Sequence, residues 1–426
     1  MTREAAAHDR HGAYTPAPRP AWIQKLNEVG RGLDLASLVP LHAASLLRQA
    51  EANTGLSDFG SEDWREPFSI LTASIDAEAE LNLAGRLLTR TEYLIYLEAR
   101  LRIVEEYRRH PQIHTEVIDR PVLITGYGRS GTTILFEILA QDPQFRVALK
   151  WESLFPVPVP QAATYRTDPR IARAENVNRL IEEILPEIAG MHKIAGNLPV
   201  ESLELDYGCF RSEVFPMQVN VPRYAAYLRG CDLTVSFEWQ KTFLKLLQSG
   251  FRARHWLMKS PTHLLHLEQY LRVFSGMRVV FTHRDPIVTA DSTASFLDTL
   301  LWLRTDSIRR RDPRDLEVLA SAERRAAAWD PIIQMIGDGR IARGAYANFY
   351  YADFIREPLA AVQSIYDQLE MTLLPDVVER MRAYLAARSQ GKHGVHQYEQ
   401  APANTVASER PSYRRYQSFF CIPDEI

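Results

Sequence analysis

The stretch from Pro121 to Asp142, PVLITGYGRSGTTILFEILAQD, constrains this chain more than any other. Pro-Val-Leu-Ile-Thr is short, apolar and partly β-branched, as a strand buried on both faces requires. Gly126, Gly128 and Gly131 come next, and Thr132 and Thr133 open a segment whose Ile134, Leu135, Ile138 and Leu139 recur at helical spacing. The reading is strand, glycine-rich loop, helix. Such a loop turns several backbone N–H groups and the positive end of a helix dipole toward one point, which suits a phosphate or sulfate. The same pattern also serves as a plain structural turn in α/β folds, so the rest of the chain has to decide.

Laid on the Walker pattern GxxxxGK[ST], the loop matches at Gly126, Gly131 and Thr133, with Thr132 in place of the lysine. In an NTPase that lysine neutralises the terminal phosphates and the next hydroxyl holds magnesium. Its absence keeps a nucleotide ligand in view and counts against ATP hydrolysis. The composition is ordinary for a globular chain of 426 residues, 46% hydrophobic and 24% charged, with ample length for a large core. A net charge of −3 gives no sign of nucleic-acid binding. Cys209, Cys231 and Cys421 are odd in number and lack metal or redox spacing, so they read as idle thiols, and no metal site is expected.

Residues 1–20, rich in Ala, Pro, Arg and His, read as a disordered lead without a signal-peptide core, and no later run reaches a membrane-spanning length. A cytoplasmic protein follows from that reading. Residues 21–118 read as a helical cap or flank. Thr89-x-x-Glu92 resembles a capping box, Leu94, Leu97, Leu101 and Val104 form an apolar stripe, and Pro111 closes the helix after Arg108 and Arg109. After the glycine loop, Phe145-Arg-Val-Ala-Leu is expected as a short strand delivering Lys150, Trp151 and Glu152 to its end, with a stiff proline-rich rim beyond. Helices are expected near 169–185 and 234–248, with a loop and helix start between Gly196 and Ser202.

Two further strand-helix units follow. His255-Trp-Leu-Met ends at Lys259-Ser260-Pro261, and Arg278-Val-Val-Phe-Thr ends at His283-Arg284-Asp285-Pro286, where Asp285 suits an N-cap and Pro286 a first helical residue. Gly344 to Phe349 reads as the last strand, with a helix over 357–370. Strands alternating with helices predict an α/β, three-layer fold of the P-loop type with a central parallel sheet, plus the N-terminal helical segment. Ligands of such sheets sit outside the carboxyl ends of the strands, where the glycine loop, Lys150 to Glu152, Lys259 and Arg284 would meet.

These residues carry a resemblance. Tyr127-Gly-Arg-Ser-Gly-Thr-Thr133, Lys259-Ser-Pro261, and Thr282-His-Arg-Asp-Pro286 with Ser292 beyond are similar to the sulfotransferases that use 3′-phosphoadenosine-5′-phosphosulfate, PAPS. Trp151-Glu152 with its proline run, Tyr351-x-Asp353-x-x-x-x-Pro358, and Gly391-Lys-His-Gly-Val-His-Gln-Tyr398 resemble the bacterial branch, itself related to the tyrosylprotein enzymes. The resemblance implies a sulfotransferase domain over 119–400, followed by a tail at 401–426. It implies that Arg129, Ser130, Gly131, Thr132 and Thr133 hold the 5′-phosphosulfate. Arg284 and Ser292 would hold the 3′-phosphate, and Gly391 to Tyr398 would supply a closing loop with Lys392 or His393 near the nucleotide. A guanidinium offers a phosphate paired donors and a hydroxyl adds a third. Lys259 would stabilise the charge that grows on the bridging oxygen, so PAPS would serve as co-substrate without a metal.

A hydroxyl attacking sulfur needs a base within hydrogen-bond reach. Glu152 is the expected base, with His263 as its rival, and Arg129 and Lys259 complete the catalytic set. The implied activity is sulfation of a small or lipid-like hydroxyl acceptor, with no nucleic-acid partner. The alternative is a P-loop kinase, or a nucleotide-binding interaction protein without catalysis.

Overall fold

Five parallel strands form one sheet in the order β2, β3, β1, β4, β5: β1 (Val122–Gly126), β2 (Phe145–Arg146), β3 (His255–Lys259), β4 (Arg278–His283) and β5 (Tyr346–Tyr350). The computed structural model of the protein describes residues 16–188, 195–306, 308, 316, 321–388 and 402–426. β1 lies at the centre with all five residues buried, as its unbroken apolar run requires. Successive strand residues point to opposite faces, so Val122, Ile124 and Val280 enter one core layer with Leu135 and Ile365. Leu123, Val279 and Phe281 enter the other, with Phe243 and Trp329. Helices cover both faces, and the fold is a three-layer α/β architecture.

The register brings the strand ends nearly level. Ile124 pairs with Lys259, and Gly126 pairs with Thr282. The chain leaves β1 with β3 on one side and β4 on the other, the arrangement that opens a crevice at the carboxyl ends of a parallel sheet. Three helices line it, α1 (Leu83–Arg109), α2 (Thr132–Leu139) and α3 (Pro286–Trp302), and α4 (Ala403–Phe420) packs against α3. α1 belongs to the N-terminal segment, which is helical as expected, with further helices at Ala21–Gly30, Ala43–Thr54 and Arg65–Glu78. No described helix is long and apolar enough to cross a membrane.

Several local expectations change. α1 begins at Asn82, whose side chain accepts from the Gly85 N–H at 2.8 Å, so Thr89 and Glu92 are interior and the Thr89 hydroxyl donates to the Gly85 carbonyl instead. Asparagine before an apolar helix is as good a cap as threonine, and it lies seven residues earlier in the sequence. β2 stops at Arg146, and Lys150–Leu154 form a helical turn rather than follow a strand end. Of the expected N-terminal lead, residues 16–20 are described, and Arg19 is buried, with an ion pair to Asp306 at 2.8 Å and its guanidinium over the Trp302 ring. Residues 403–420 are a helix, not a tail. Tyr413, Tyr416 and Phe420 are buried, and the last two pack on Trp329.

Two histidines just at or beyond strand ends are sealed, His283 by this packing and His263 by Phe237 and Tyr270. His283 lies between Tyr416 and Asn348, hydrogen-bonded to both at 3.0 and 2.9 Å, and burial pushes its pKa down to about 4. His263 is pushed down to about 3 by burial. Both therefore fold as neutral rings, whereas the unfolded chain protonates them near the ordinary value of about 6.5. The unfolded state binds more protons between the two values, so stability falls as pH drops from about 6.5 toward 4, at up to about 1.4 kcal/mol per pH unit for each ring. Chemical denaturation at pH 7, 5.5 and 4.5 should show a shallower loss in His283→Gln than in the wild type. Equal slopes would show that His283 takes up its proton in the fold as readily as in the unfolded chain.

Candidate active site

The loop after β1 is shaped by backbone that side chains would obstruct. Gly131 has φ +90°, and a Cβ there would stand 2.7 Å from the Tyr351 ring. Arg129 adopts φ +66°, a left-handed conformation that a non-glycine residue holds only when its surroundings impose it. That turn aims the Arg129 guanidinium across to α3, where its Nε donates to Ser292 Oγ at 3.0 Å. Arg284, at the end of β4, donates to the Arg129 carbonyl at 3.4 Å and lies over the Tyr351 ring at 4.7 Å. Arg129, Arg284 and Ser292 are thus one cluster beside the start of α2. Thr132 and Thr133 line the same cavity. Ser130 faces inward: its hydroxyl donates to the Tyr127 carbonyl at 2.6 Å and meets Thr282 Oγ1 at the same distance, leaving its backbone to serve a ligand.

Arg284 is ion-paired, but with Glu425 beyond α4 at 3.1 Å rather than with its neighbour Asp285, which Arg410 holds through two hydrogen bonds of 2.7 and 2.9 Å. Lys392 and the whole Gly391–Tyr398 stretch lie outside the described residues. Among the described residues no group of three His, Cys, Asp or Glu side chains is placed to hold a metal ion.

Lys259 ends β3 almost fully buried, and its ammonium meets Glu201 at 2.5 Å. Glu201 opens a 3-10 helical stretch, Ser202–Cys209, docked on β3 by the Ser202 hydroxyl, which donates to the Lys259 carbonyl at 3.3 Å. Three residues per turn place Glu201, Glu204 and Tyr207 on one face, and all three line the cavity. Beside this stretch, residues 148–150 run antiparallel to 198–200, which sets Lys150 against Glu204 at 2.6 Å. The cavity itself holds 460 Å³. One end is the glycine loop with Arg129 and Arg284, and its body is walled by Leu154, Ile181, Leu203, Met217, Phe296 and Leu300.

The two bases expected from sequence stand elsewhere. Glu152 is fully buried and its carboxylate is occupied: Oε1 accepts from Arg146 at 2.6 Å, and Oε2 accepts from the Leu149 N–H at 2.9 Å and the Tyr165 hydroxyl at 2.8 Å. It does not line the cavity. His263 is buried against Tyr270, 4.5 Å between ring centroids, and its depressed pKa keeps it neutral behind Thr262, which does face the cavity. The carboxylates that face the cavity are Glu201, Glu204 and Glu92. The sequence signal for the first two was their spacing of three, followed by Tyr207, in a segment read only as a loop with a helix start. No local signal marked Glu425.

A family model described as "Sulfotransferase family" matches residues 121–376. The omega-hydroxy-beta-dihydromenaquinone-9 sulfotransferase Stf3 of Mycobacterium tuberculosis is 22% identical over 295 residues, 66% of this chain and 71% of that protein. The Stf3 sequence of Mycobacterium bovis matches to the same extent. Among solved structures, sulfotransferase STF9 from Mycobacterium avium superposes with a TM-score of 0.73 at 24% identity, covering 90% of this chain and 98% of that one. STF1 from Mycobacterium tuberculosis superposes at 0.68 with 22% identity, covering 89% and 98%. These two share the fold.

The position of Glu152 yields a test of its own. Removing one partner of a buried ion pair leaves the other charge uncompensated, at a cost of roughly 3–5 kcal/mol. Glu152→Ala should lower the melting temperature by many degrees, because Arg146 is also enclosed by Trp256 and Phe251. An unshifted melt with lost turnover would instead return Glu152 to the chemistry.

Proposed function

The chain belongs to the sulfotransferase family, and on that premise we propose that it moves a sulfuryl group from PAPS to the hydroxyl of a lipid-like acceptor. One observation carries this reading: a single cavity joins an anion-ready loop and two guanidinium groups to a body with apolar walls. The Gly131 turn, which a Cβ would fill, and the Arg129, Arg284 and Ser292 cluster fit a ligand with separate phosphate groups. As co-substrate, PAPS brings the sulfuryl group on a cleavable phosphosulfate bond. The loop from Arg129 to Thr133 then holds the phosphosulfate, and Arg284 with Ser292 the 3′-phosphate. The name of the Stf3 relative, a sulfotransferase of a hydroxylated menaquinone, agrees with an apolar acceptor.

Lys259 and Glu201 divide the chemistry between them. As the acceptor oxygen bonds to sulfur, the bond from sulfur to the bridging phosphate oxygen breaks, and the departing oxygen takes negative charge. A fixed ammonium stabilises that charge more in the transition state than before it. Lys259 ends β3 opposite Ile124, two residues short of Gly126, where the loop begins. The proton leaves the hydroxyl for a carboxylate, and Glu201 is the one on Lys259, with its side chain 27% exposed and lining the cavity. Glu204, a turn on, is paired with Lys150 instead.

Two measurements follow. Isothermal titration should find that 3′,5′-diphosphoadenosine binds far more tightly than ATP with magnesium, and that Arg284→Ala weakens it by on the order of 2 kcal/mol. Equal affinity for both nucleotides would sink the proposed donor. Glu201→Gln should keep that nucleotide affinity and lower kcat by roughly 10² or more. If Glu204→Gln shows this loss and Glu201→Gln does not, the base is Glu204.

A further inference from the structure

The cavity is not uniformly apolar, and its polar groups are ordered along its length. On α3, the lining residues run Ser292, Thr293, Phe296, Leu297, Leu300 and, just past the helix, Arg304. Steps of three and four keep them on one face, and twelve residues at 1.5 Å each set Arg304 about 18 Å from Ser292. The wall therefore begins polar beside Arg129, is apolar in the middle and ends in a charge. The 3-10 face of Glu201, Glu204 and Tyr207 lines the same cavity, advancing about 12 Å at 2 Å per residue. Tyr207 stacks on Tyr96 of α1, centroids 4.1 Å apart and planes 11° apart. One turn before Tyr96 on the same helix, Glu92 meets Arg304 at 2.6 Å, both almost fully buried.

Three Lys/Arg–Glu pairs thus follow one another: Lys259 with Glu201, Lys150 with Glu204, and Arg304 with Glu92. Pairs of this kind add little stability over apolar side chains of equal volume. The third one is remote from the donor loop and serves no step of the transfer. We infer that Glu92, Tyr96 and Arg304 form a distal subsite that binds a second polar group of the acceptor. Its chemistry fixes the class: the carboxylate accepts, the guanidinium and the buried, protonated phenol donate, and the ion pair has no net charge. A neutral hydroxyl or carbonyl fits, whereas a carboxylate or an amine would leave one partner opposed by like charge. The acceptor is an elongated amphiphile, with the reacting hydroxyl at one end, an apolar body, and a neutral oxygen group at the other.

The inference rests on the proposed function in taking the cavity as the acceptor site, and binding tests it independently of turnover. Titration of the complex with 3′,5′-diphosphoadenosine should compare primary alkanols of increasing chain length with the α,ω-diols of the same length. One diol length should bind roughly tenfold more tightly than its alkanol, the scale of one well-made hydrogen bond. Tyr96→Phe and the double variant Glu92→Met/Arg304→Met should bring that ratio down toward the statistical advantage of two equivalent ends. The double variant removes a whole ion pair, so it leaves no charge buried alone. Diols no tighter than alkanols at every length, an advantage that persists in both variants, or no binding of either series would overturn the subsite. Failure of the transferase reading appears separately, as diol binding without labelled product from PAPS.

Discussion

The site depends on the register of three parallel strands, β1 and β4 ending nearly level and β3 two residues short of Gly126. Because β1 pairs in register with both β3 and β4, the turn after Gly126 opens beside Thr282 on one side and near Lys259 on the other. The approach is close: a Cβ on Gly126 would fall 2.4 Å from the Thr282 hydroxyl. Only a chain without a side chain there lets the loop fold back over the sheet and carry Arg129 into its left-handed turn. From that turn follows the contact with Ser292, and with it the position of α3 as the long wall of the cavity. A backbone constraint of a few residues thus sets where a guanidinium, a hydroxyl and an ammonium stand relative to one another.

Buried charge is the second constraint, and it explains which carboxylates are available for chemistry. Arg146 is enclosed by Trp256, Phe251 and backbone carbonyls, and an isolated guanidinium there would be prohibitive, so Glu152 is bound to it. With Leu149 and Tyr165 occupying its other oxygen, Glu152 braces the turn between β2 and the cavity wall. Glu201 and Glu204 are also paired, with Lys259 and Lys150, but both carboxylates are partly exposed and line the cavity. An ion pair whose members can separate when a ligand arrives differs from one locked by three partners. That difference is set by packing around the pair, not by the residue types.

The same distinction marks what the sequence could disclose. Strand periodicity, the glycine loop and the Asp285-Pro286 helix start were legible because each is local, written in a few consecutive residues that fold against one another. The parallel sheet followed from their order. The place of Glu152 away from the cavity was not legible, because it is set by Arg146, six residues back, and by Tyr165, thirteen residues on, neither of which has a motif. His263 looked like a base from its distance to Lys259, but the side chains of Gln240 and Tyr270 seal it. The C-terminal helix was read as a tail because its arginines and polar residues hide a sparse stripe. Tyr413 reaches the core against Tyr127, and Tyr416 and Phe420 reach it against Trp329 and His283, all from distant parts of the chain.

Net charge separates the two halves of the cavity more sharply than polarity does. Along the body each cation meets an anion, Lys150 with Glu204 and Arg304 with Glu92, so a neutral ligand meets hydrogen-bonding groups without a field that would draw in an ion. At the loop the balance differs. Arg129 and Arg284 stand together with the start of α2, and the carboxylate opposed to Arg284 is Glu425, which is partly exposed at the rim. A phosphate arriving there can share or displace a surface carboxylate at small cost, because an ion pair in contact with water is worth little. A phosphate entering the far end of the body would instead have to break the Arg304–Glu92 pair, which is almost out of contact with water, and that is far more costly. On the proposed function, the exposed Glu425 marks the end that admits a phosphate, and the buried Arg304–Glu92 pair marks the end that admits only a neutral group.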